Sequence, residues 1–332
     1  MKRFYAFILA LLFFITAAPL QAQEQPLDPS LIRAMETLKV FKGDPDLLVL
    51  TNAPFVKTRS KDSLPFLARV QKLTGATVGQ GNLLFFQRPQ NHPLRIMLFK
   101  KTDRRAVIIS AVKDEWAEET LDMAVETICN QVFWKTAKEK FASGSDLFSL
   151  VSIANAWSMD VPYDFLKAAE LHNHICPGLT SGYLISHFIL KHYPLSPGQH
   201  YAIIASPVWC KEDAFQVVMD LTPGKHGLVV KPLSKVQKEK ISVTDPACFL
   251  LIWDDKTKSG KAVAISFDFS TLKGIYPEGT PKAATILYTA AHLSAPDKFV
   301  SVSKEFDLSE AQYNAMKDAG SNPYEIAGLT SD

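Results

Sequence analysis

The chain has 332 residues, of which 47% are hydrophobic and 21% are charged. This composition is typical of a folded protein with room for two domains, and it excludes a chain that is disordered over most of its length. Lysine and arginine total 36 against 34 aspartates and glutamates, and this nearly neutral balance without a basic run argues against a nucleic-acid partner.

The N-terminus carries a targeting signal. Two basic residues precede an apolar run over 4–20, and Ala22 offers a small residue at a cleavage point. We therefore predict a signal peptide over residues 1–22 and an exported protein, periplasmic or extracellular, without stable membrane insertion after cleavage. An uncleaved membrane anchor is the competing interpretation, but the run is short for a span and Pro19 interrupts its end.

The first half of the mature chain predicts a small sheet packed with helices. Apolar residues at helical spacing predict helices over 31–41, 64–73, 117–133 and 147–157. Apolar runs between turn residues predict strands over 47–50, 83–86, 95–99 and 106–110. The glycine-rich segment 74–82 resembles a phosphate-binding loop, but a predicted strand follows it where such a loop requires a helix N-terminus, so we reject that function.

The second half predicts the same order of elements. Helices are expected over 179–193, 213–221 and 283–292, and strands over 201–205, 228–230, 249–253, 262–267 and 300–302. At one constant offset, the following residues align between the halves: Val70-Gln71 with Phe215-Gln216, Thr77 with Thr222, Gly79 with Gly224, and Leu83 with Leu228. We interpret this match as an internal duplication. It predicts a degenerate first copy over 23–157, a motif-carrying domain over 158–295 and a C-terminal extension over 296–332.

Candidate metal ligands are concentrated in the second half. Six of the eight histidines lie between residues 172 and 226, and His172-x-His174-x-Cys176 precedes a Pro-Gly break and a predicted helix. Cys176 is therefore expected at a helix start, where the helix dipole favours the thiolate. A thiolate with two imidazoles suits zinc or another divalent transition metal. The alternative is a buried cysteine beside two structural histidines.

Cys210 is expected at a second helix start, just after a predicted strand. We therefore predict that Cys210 and Cys176 meet in one cleft as metal ligands. A Cys176–Cys210 disulfide is the alternative that export makes credible, although it would not account for His172 and His174. Cys129, in contrast, has apolar neighbours and is predicted to be a core residue.

Two further groups of polar residues are candidates for the cleft. Asp213 and Gln216 are one helical turn apart, so one of them could orient a ligating imidazole, or both could be solvated. The turn Thr222-Pro223-Gly224-Lys225-His226-Gly227 could present Lys225 and His226 to the cleft, with Thr222 at its start, or could simply join a helix to a strand.

These motifs together resemble the FmdE family, which takes its name from formylmethanofuran dehydrogenase. The family pattern is His-x-His-x-Cys-Pro-Gly, then Cys-x-x-Asp-Ala-x-Gln, then Thr-Gly-Cys-Thr-x-Gly-Lys. The residues that match are His172, His174, Cys176, Pro177, Gly178, Cys210, Asp213, Ala214, Gln216, Thr222, Gly224 and Lys225. The resemblance implies an α+β domain with a cleft that can hold zinc, often paired as a homodimer. Together with the duplication, it predicts an α+β fold of two tandem related FmdE-like domains, each a small mostly antiparallel sheet packed with helices.

The sequence departs from the family pattern at several positions. Asn173 replaces the glycine usual between the histidines, and Asp220 and Leu221 occupy the Gly-Cys positions, which excludes a three-thiol site. Export also separates this chain from a cytoplasmic methanogenic complex, so the family name does not give its reaction, and no residue is assigned a catalytic role. The sequence thus predicts an exported metal-binding protein whose partner is a metal ion or small molecule. The alternative is a thiol-redox or disulfide-containing module that binds a small ligand without metal.

Overall fold

The computed structural model describes residues 27–58, 60–112 and 115–331. The predicted signal peptide over 1–22 lies outside these residues. The strands are β1 (Leu47–Thr51), β2 (Lys57–Thr58), β3 (Lys61–Asp62), β4 (Leu83–Phe85), β5 (Arg95–Lys100), β6 (Arg105–Val112), β7 (Glu115–Asp122), β8 (Gln199–Ala205), β9 (Leu228–Val230), β10 (Pro246–Asp254), β11 (Ser259–Phe267) and β12 (Val300–Ser309). The helices are α1 (Asp28–Leu38), α2 (Phe66–Thr74), α3 (Val125–Ile128), α4 (Gln131–Lys140), α5 (Leu147–Ser158), α6 (Tyr163–His172), α7 (Pro177–His192), α8 (Lys211–Val218), α9 (Lys235–Glu239), α10 (Phe269–Lys273), α11 (Ile286–Thr289), α12 (Glu310–Lys317) and α13 (Pro323–Ile326).

Two five-stranded sheets follow the same plan. The first has the order β4-β1-β5-β6-β7 and the second has the order β9-β8-β10-β11-β12. In each sheet the short edge strand, β4 or β9, is parallel to its neighbour, and the other pairs are antiparallel. The fold is therefore α+β with two sheet-bearing halves, as predicted.

The halves also share the turn that leads into the parallel edge strand. The hydroxyl of Thr77 accepts a hydrogen bond from the backbone N–H of Gln80, and the hydroxyl of Thr222 accepts one from the N–H of Lys225. Each threonine thus caps a single 3-10 turn. The common strand order and the common cap support the predicted duplication, which stays a prediction.

The helix predicted over 117–133 is wrong. Residues 115–122 form β7, which pairs with β6 along its whole length, and the short helices α3 and α4 follow. The spacing of apolar residues in this segment fits a helix, but β6 would then have an unpaired edge. Pairing with β6 satisfies the backbone hydrogen bonds of both strands, so the segment is a strand. Asn130 then begins α4, because its side chain accepts a hydrogen bond from the N–H of Val132.

Other differences concern the ends of elements and elements that were missed. The helix predicted over 283–292 is divided into α11 and a 3-10 turn on either side of it. The strand predicted over 300–302 continues to Ser309 as β12, which pairs with β11, so residues after 296 contribute an edge strand to the second sheet. Helix α6, which carries His172, was not predicted, and neither were the short elements β2, β3, α9, α10, α12 and α13. The remaining strands and helices lie within a few residues of their predicted positions.

Helix α5 connects the two halves. It is buried on nearly every side, and its residues join those of β1, α6 and α7 in one apolar cluster. Two of its side chains reach the His-x-His-x-Cys segment: Ser152 accepts a hydrogen bond from the N–H of Ile175 at 3.0 Å, and the Phe148 ring lies 4.7 Å from that of His174. The first half thus packs directly behind the candidate ligands. Within the ranges described, no helix combines the length and apolar character needed to cross a bilayer.

Candidate metal site

The first two candidate ligands lie on either side of a tight reversal of the chain. His172 is the last residue of α6, and Cys176 is the N-cap of α7, with Pro177 at its first position. Between them Asn173 has φ of 69°, in the left-handed region that favours glycine and tolerates asparagine. This backbone explains how Asn173 can stand at a position where the motif that it resembles has glycine.

Cys210 reaches the same place because α7 and α8 approach very closely. A Cβ on Gly178 would lie 3.0 Å from the Cβ of Cys210, and a Cβ on Gly182 would lie 2.4 Å from the carbonyl oxygen of Lys211. The two glycines, one helical turn apart on α7, therefore make room for the start of α8. Their spacing brings the Cys210 thiol to the N-terminus of α7.

Three of the four predicted ligands form one group. The Sγ atoms of Cys176 and Cys210 and a ring nitrogen of His172 lie within 4.8 Å of one another. The His172 Nε2 atom is 3.7 Å from the Cys176 Sγ atom. All four cysteines of the chain are free thiols in the structure. His174 lies beside this group, with its ring centroid 4.1 Å from that of His172, but it is not part of the group.

A carboxylate orients the His172 ring. Nδ1 of His172 donates to Oδ2 of Asp213 at 2.7 Å, and the other oxygen of Asp213 accepts from the amide of Gln216 at 3.2 Å. Because Asp213 holds a proton on Nδ1, Nε2 is the nitrogen that faces the sulfur atoms and that would bind a metal once its own proton is displaced. The structure thus brings Asp213 and Gln216 together with the candidate ligands.

The two imidazoles differ in their affinity for protons. Burial opposes a charge on His172, but the hydrogen bonds with Asp213 and Cys210 outweigh it and raise its pKa from 6.5 to about 9. Burial and the neighbouring charge of His172 lower the pKa of His174 to about 4. His174 is therefore a neutral ring packed between His172 and Phe148.

The two thiols are also unequal. A hydrogen bond from Cys210, together with the backbone amides of Gly178 and Leu179, lowers the pKa of Cys176 to about 7 against the opposing effect of burial. The hydrogen bond to Cys176 and burial raise the pKa of Cys210. In the metal-free pair, the first proton therefore leaves the sulfur at the N-terminus of α7.

Residues 171–305 match the FmdE family model, described as "FmdE, Molybdenum formylmethanofuran dehydrogenase operon". Among curated proteins, none matches the chain. The FmdE match begins one residue before His172 and ends inside β12, so it contains all three grouped ligands and nearly the whole second sheet.

The third motif of the FmdE-like segment lies apart from the ligands. Residues 223–226 are exposed, and the Lys225 ammonium pairs with Asp220. Thr222 caps the turn, and His226 ends it in the left-handed region with φ of 56°. Thr222, Lys225 and His226 do not line the cavity at the thiols. In the structure this turn joins α8 to β9.

A cavity of about 860 Å³ opens onto the two thiols of the FmdE-like segment. Cys176 and Cys210 line one side of it, and the chain between Phe269 and Thr285 lines the other. The sequence gives no signal for this second wall, because residues 269–285 carry no motif. A ligand that enters this cavity contacts these residues beside the sulfur atoms.

A buried ion pair behind Cys210, between Lys211 and Glu212, was also not predicted from the sequence. The fully buried Lys211 ammonium donates to Glu212 at 2.6 Å and to the carbonyl of Pro207, and it lies 3.8 Å from the centre of the Trp209 ring. The indole N–H of Trp209 in turn donates to Ser181 on α7 at 3.0 Å. These contacts fix the backbone on both sides of Cys210. A lysine beside a glutamate is ordinarily a surface pattern, so only the fold reveals its burial.

Proposed function

We propose that the chain is an exported FmdE-like protein that binds zinc or another divalent transition metal. His172, Cys176 and Cys210 are the ligands in this proposal. The observation that carries it is the convergence of one ring nitrogen and two sulfur atoms, from three separate helix ends, within 4.8 Å of one another. The FmdE match over 171–305 is compatible with it.

The separations of these atoms fit the geometry of zinc. Ligand distances of about 2.3 Å to sulfur and about 2.1 Å to nitrogen place neighbouring atoms of a tetrahedral site about 3.6 Å apart. The His172 Nε2 to Cys176 Sγ distance is 3.7 Å. Two thiolates and one imidazole are also a soft to borderline donor set, which suits zinc better than calcium or magnesium.

Three protein ligands leave a fourth position for a small molecule. Both sulfur atoms line the cavity, so that position would face it. A metal held in this way supplies Lewis-acid chemistry, while a fourth protein ligand would instead suit storage, delivery or a structural role. His174 is outside the group of three, which favours the open site.

Metal analysis of the purified full chain tests the proposal. We expect one equivalent of zinc, lost in Cys176→Ser and Cys210→Ser and retained in Cys129→Ser. Cys129 is the matched control because it is a free, half-buried thiol elsewhere in the fold, 3.7 Å from the Tyr288 hydroxyl. Protein that binds no metal after anaerobic loading overturns the proposal.

The alternative function is a thiol-redox or disulfide-containing module that binds a small ligand without metal. It is favoured by one observation: the two sulfur atoms of Cys176 and Cys210 already lie in one group, and a modest movement would bring them to bonding distance. Counting free thiols alongside the metal analysis separates the two functions. A Cys176–Cys210 cross-link in metal-free protein, as purified, supports the alternative. Stoichiometric zinc that is lost in Cys176→Ser contradicts it.

Location and assembly belong to the same proposal. The signal over 1–22 supports export to the periplasm or beyond, and the family resemblance supports a homodimer. Cell fractionation, N-terminal sequencing of the mature chain and light scattering test these points. Retention of residues 1–22 in a membrane fraction would favour the uncleaved anchor instead.

A further inference from the structure

The cavity at the thiols is larger than a metal ion requires. Its volume of about 860 Å³ lies in the range of pockets that hold small organic ligands. A structural metal site has its coordination positions filled by protein ligands and needs no such space beside it. The cavity therefore has room for an organic molecule next to the two thiols.

The walls of the cavity are mainly apolar. Phe269, Tyr276 and Pro177 line it, and Phe269 is held in place by edge contacts with the rings of Phe267 and Trp209. Such a surface releases water when it is covered by an apolar body. An inorganic anion or a bare sugar would leave it exposed.

Positive charge lies at the rim. Lys273 and Lys282 line the cavity with exposed side chains, and Glu278 is the acid of the lining. Among the residues that the structure describes, neither lysine has a carboxylate within 4.0 Å. Two ammonium groups that make no ion pair within the described ranges, beside a thiolate site, are suited to hold a negatively charged ligand.

Lys282 also marks the junction with a second cavity. That cavity has a volume of about 450 Å³, shares Gly279, Thr280 and Lys282 with the first, and reaches Trp134 and Lys135. Lysine side chains thus line both cavities, and the second cavity contains none of the candidate metal ligands. A ligand longer than the first cavity has a charged surface to follow.

We propose that this cleft binds a small organic carboxylate with an apolar body. The apolar body covers Phe269 and Tyr276, the carboxylate pairs with Lys273 and Lys282, and a donor atom of the ligand faces the open metal position. This inference rests on the proposed metal site and adds the class of ligand that the site takes.

Cobalt-loaded full-length protein provides the test, because thiolate–cobalt absorption reports first on the metal site and then on ligands that enter it. The probes are benzoate, acetate as a carboxylate without the apolar body, and benzamide as the apolar body without the charge. We expect benzoate to shift the spectrum with an affinity at least about 5-fold above those of acetate and benzamide. Lys282→Gln and Lys273→Gln should each lower the affinity for benzoate about 3-fold. Lys256→Gln should leave it unchanged, because Lys256 is an exposed residue outside both cavities.

The outcomes separate this inference from the proposed function. Absence of a thiolate–cobalt band overturns the metal site itself. A normal thiolate–cobalt band with acetate bound as tightly as benzoate overturns the apolar contribution. Benzamide as tight as benzoate, or unchanged affinity in both lysine variants, overturns the role of the charges.

Discussion

Asp213 lies 2.7 Å from Nδ1 of His172 and so turns the opposite nitrogen of the ring toward the Cys176 sulfur. Replacing a carboxylate that orients a ligating histidine typically costs about 10- to 100-fold in metal affinity. We expect this loss in Asp213→Asn, measured by competition with a chelator. Asp220→Asn is the control, since that exposed carboxylate contacts Lys225. Equal affinities of the two variants would show that Asp213 is only a solvated helix residue.

Because α7 and α8 approach closely, we expect substitution of a glycine between them to lower both the stability of the protein and its affinity for zinc. A Cβ at position 182 meets the Lys211 backbone at 2.4 Å, whereas a Cβ at Gly224 meets nothing within 4 Å. Gly182→Ala should therefore lower the free energy of unfolding by roughly 1–3 kcal/mol. It should also lower the affinity for zinc, because it displaces Cys210. Gly224→Ala should be nearly neutral in both respects. Urea denaturation and chelator competition on the two variants give the comparison.

The thiol pair predicts a pH dependence of alkylation in metal-free protein. Because the pKa of Cys176 is lowered to about 7, its thiolate forms as pH rises through 7, whereas the raised pKa of Cys210 keeps that proton in place. Iodoacetamide should thus modify Cys176 first, with a rate that climbs between about pH 6 and 8. Site-resolved mass spectrometry measures this, and zinc should protect both thiols. Equal rates at Cys176 and Cys210 would contradict the assignment.

Removing Lys211 from the ion pair behind Cys210 should cause a large loss of stability, and a second substitution at Glu212 should restore much of it. Lys211→Met leaves the buried Glu212 carboxylate without its positive partner, although the backbone N–H of Trp209 still donates to it, and such a loss costs about 3–5 kcal/mol in comparable sites. Adding Glu212→Gln should restore much of that loss, because the unpaired charge is then removed. Lys235→Met, at an exposed pair with Glu239, should change the free energy of unfolding by less than about 1 kcal/mol. If Lys211→Met unfolds no more easily than Lys235→Met, the pair is not buried in solution.

Features that depend on neighbouring residues in the chain could be predicted from the sequence. The strand over 228–230 and the placement of Cys176 and Cys210 at helix starts follow from local patterns: apolar runs, turn residues and proline at a first turn. Local chemistry determines these features. The meeting of the two thiols was also predicted, because both were placed at helix starts beside strand ends, but the contact itself depends on the close approach of α7 and α8 at Gly178 and Gly182.

Features that depend on distant partners could not be predicted. The burial of Lys211 needs the Trp209 ring and the Pro207 carbonyl, and the strand at 115–122 needs the edge of β6. The cavity wall over 269–285 carries no motif, since its role depends on facing the thiols across space. The choice of His172 over His174 depends in the same way on Asp213, which is 41 residues further along the chain.

The hydrogen bond from Ile175 to Ser152 has a consequence for how this protein can be divided. The segment that matches the family begins at residue 171, but the backbone of its first motif is anchored to a helix that precedes it. An excised 171–305 fragment would leave that amide without its acceptor and would expose the apolar surface that α5 covers. The half without the candidate ligands thus supports the half that has them, and we expect the smallest unit that folds on its own to begin before residue 171 and to include α5.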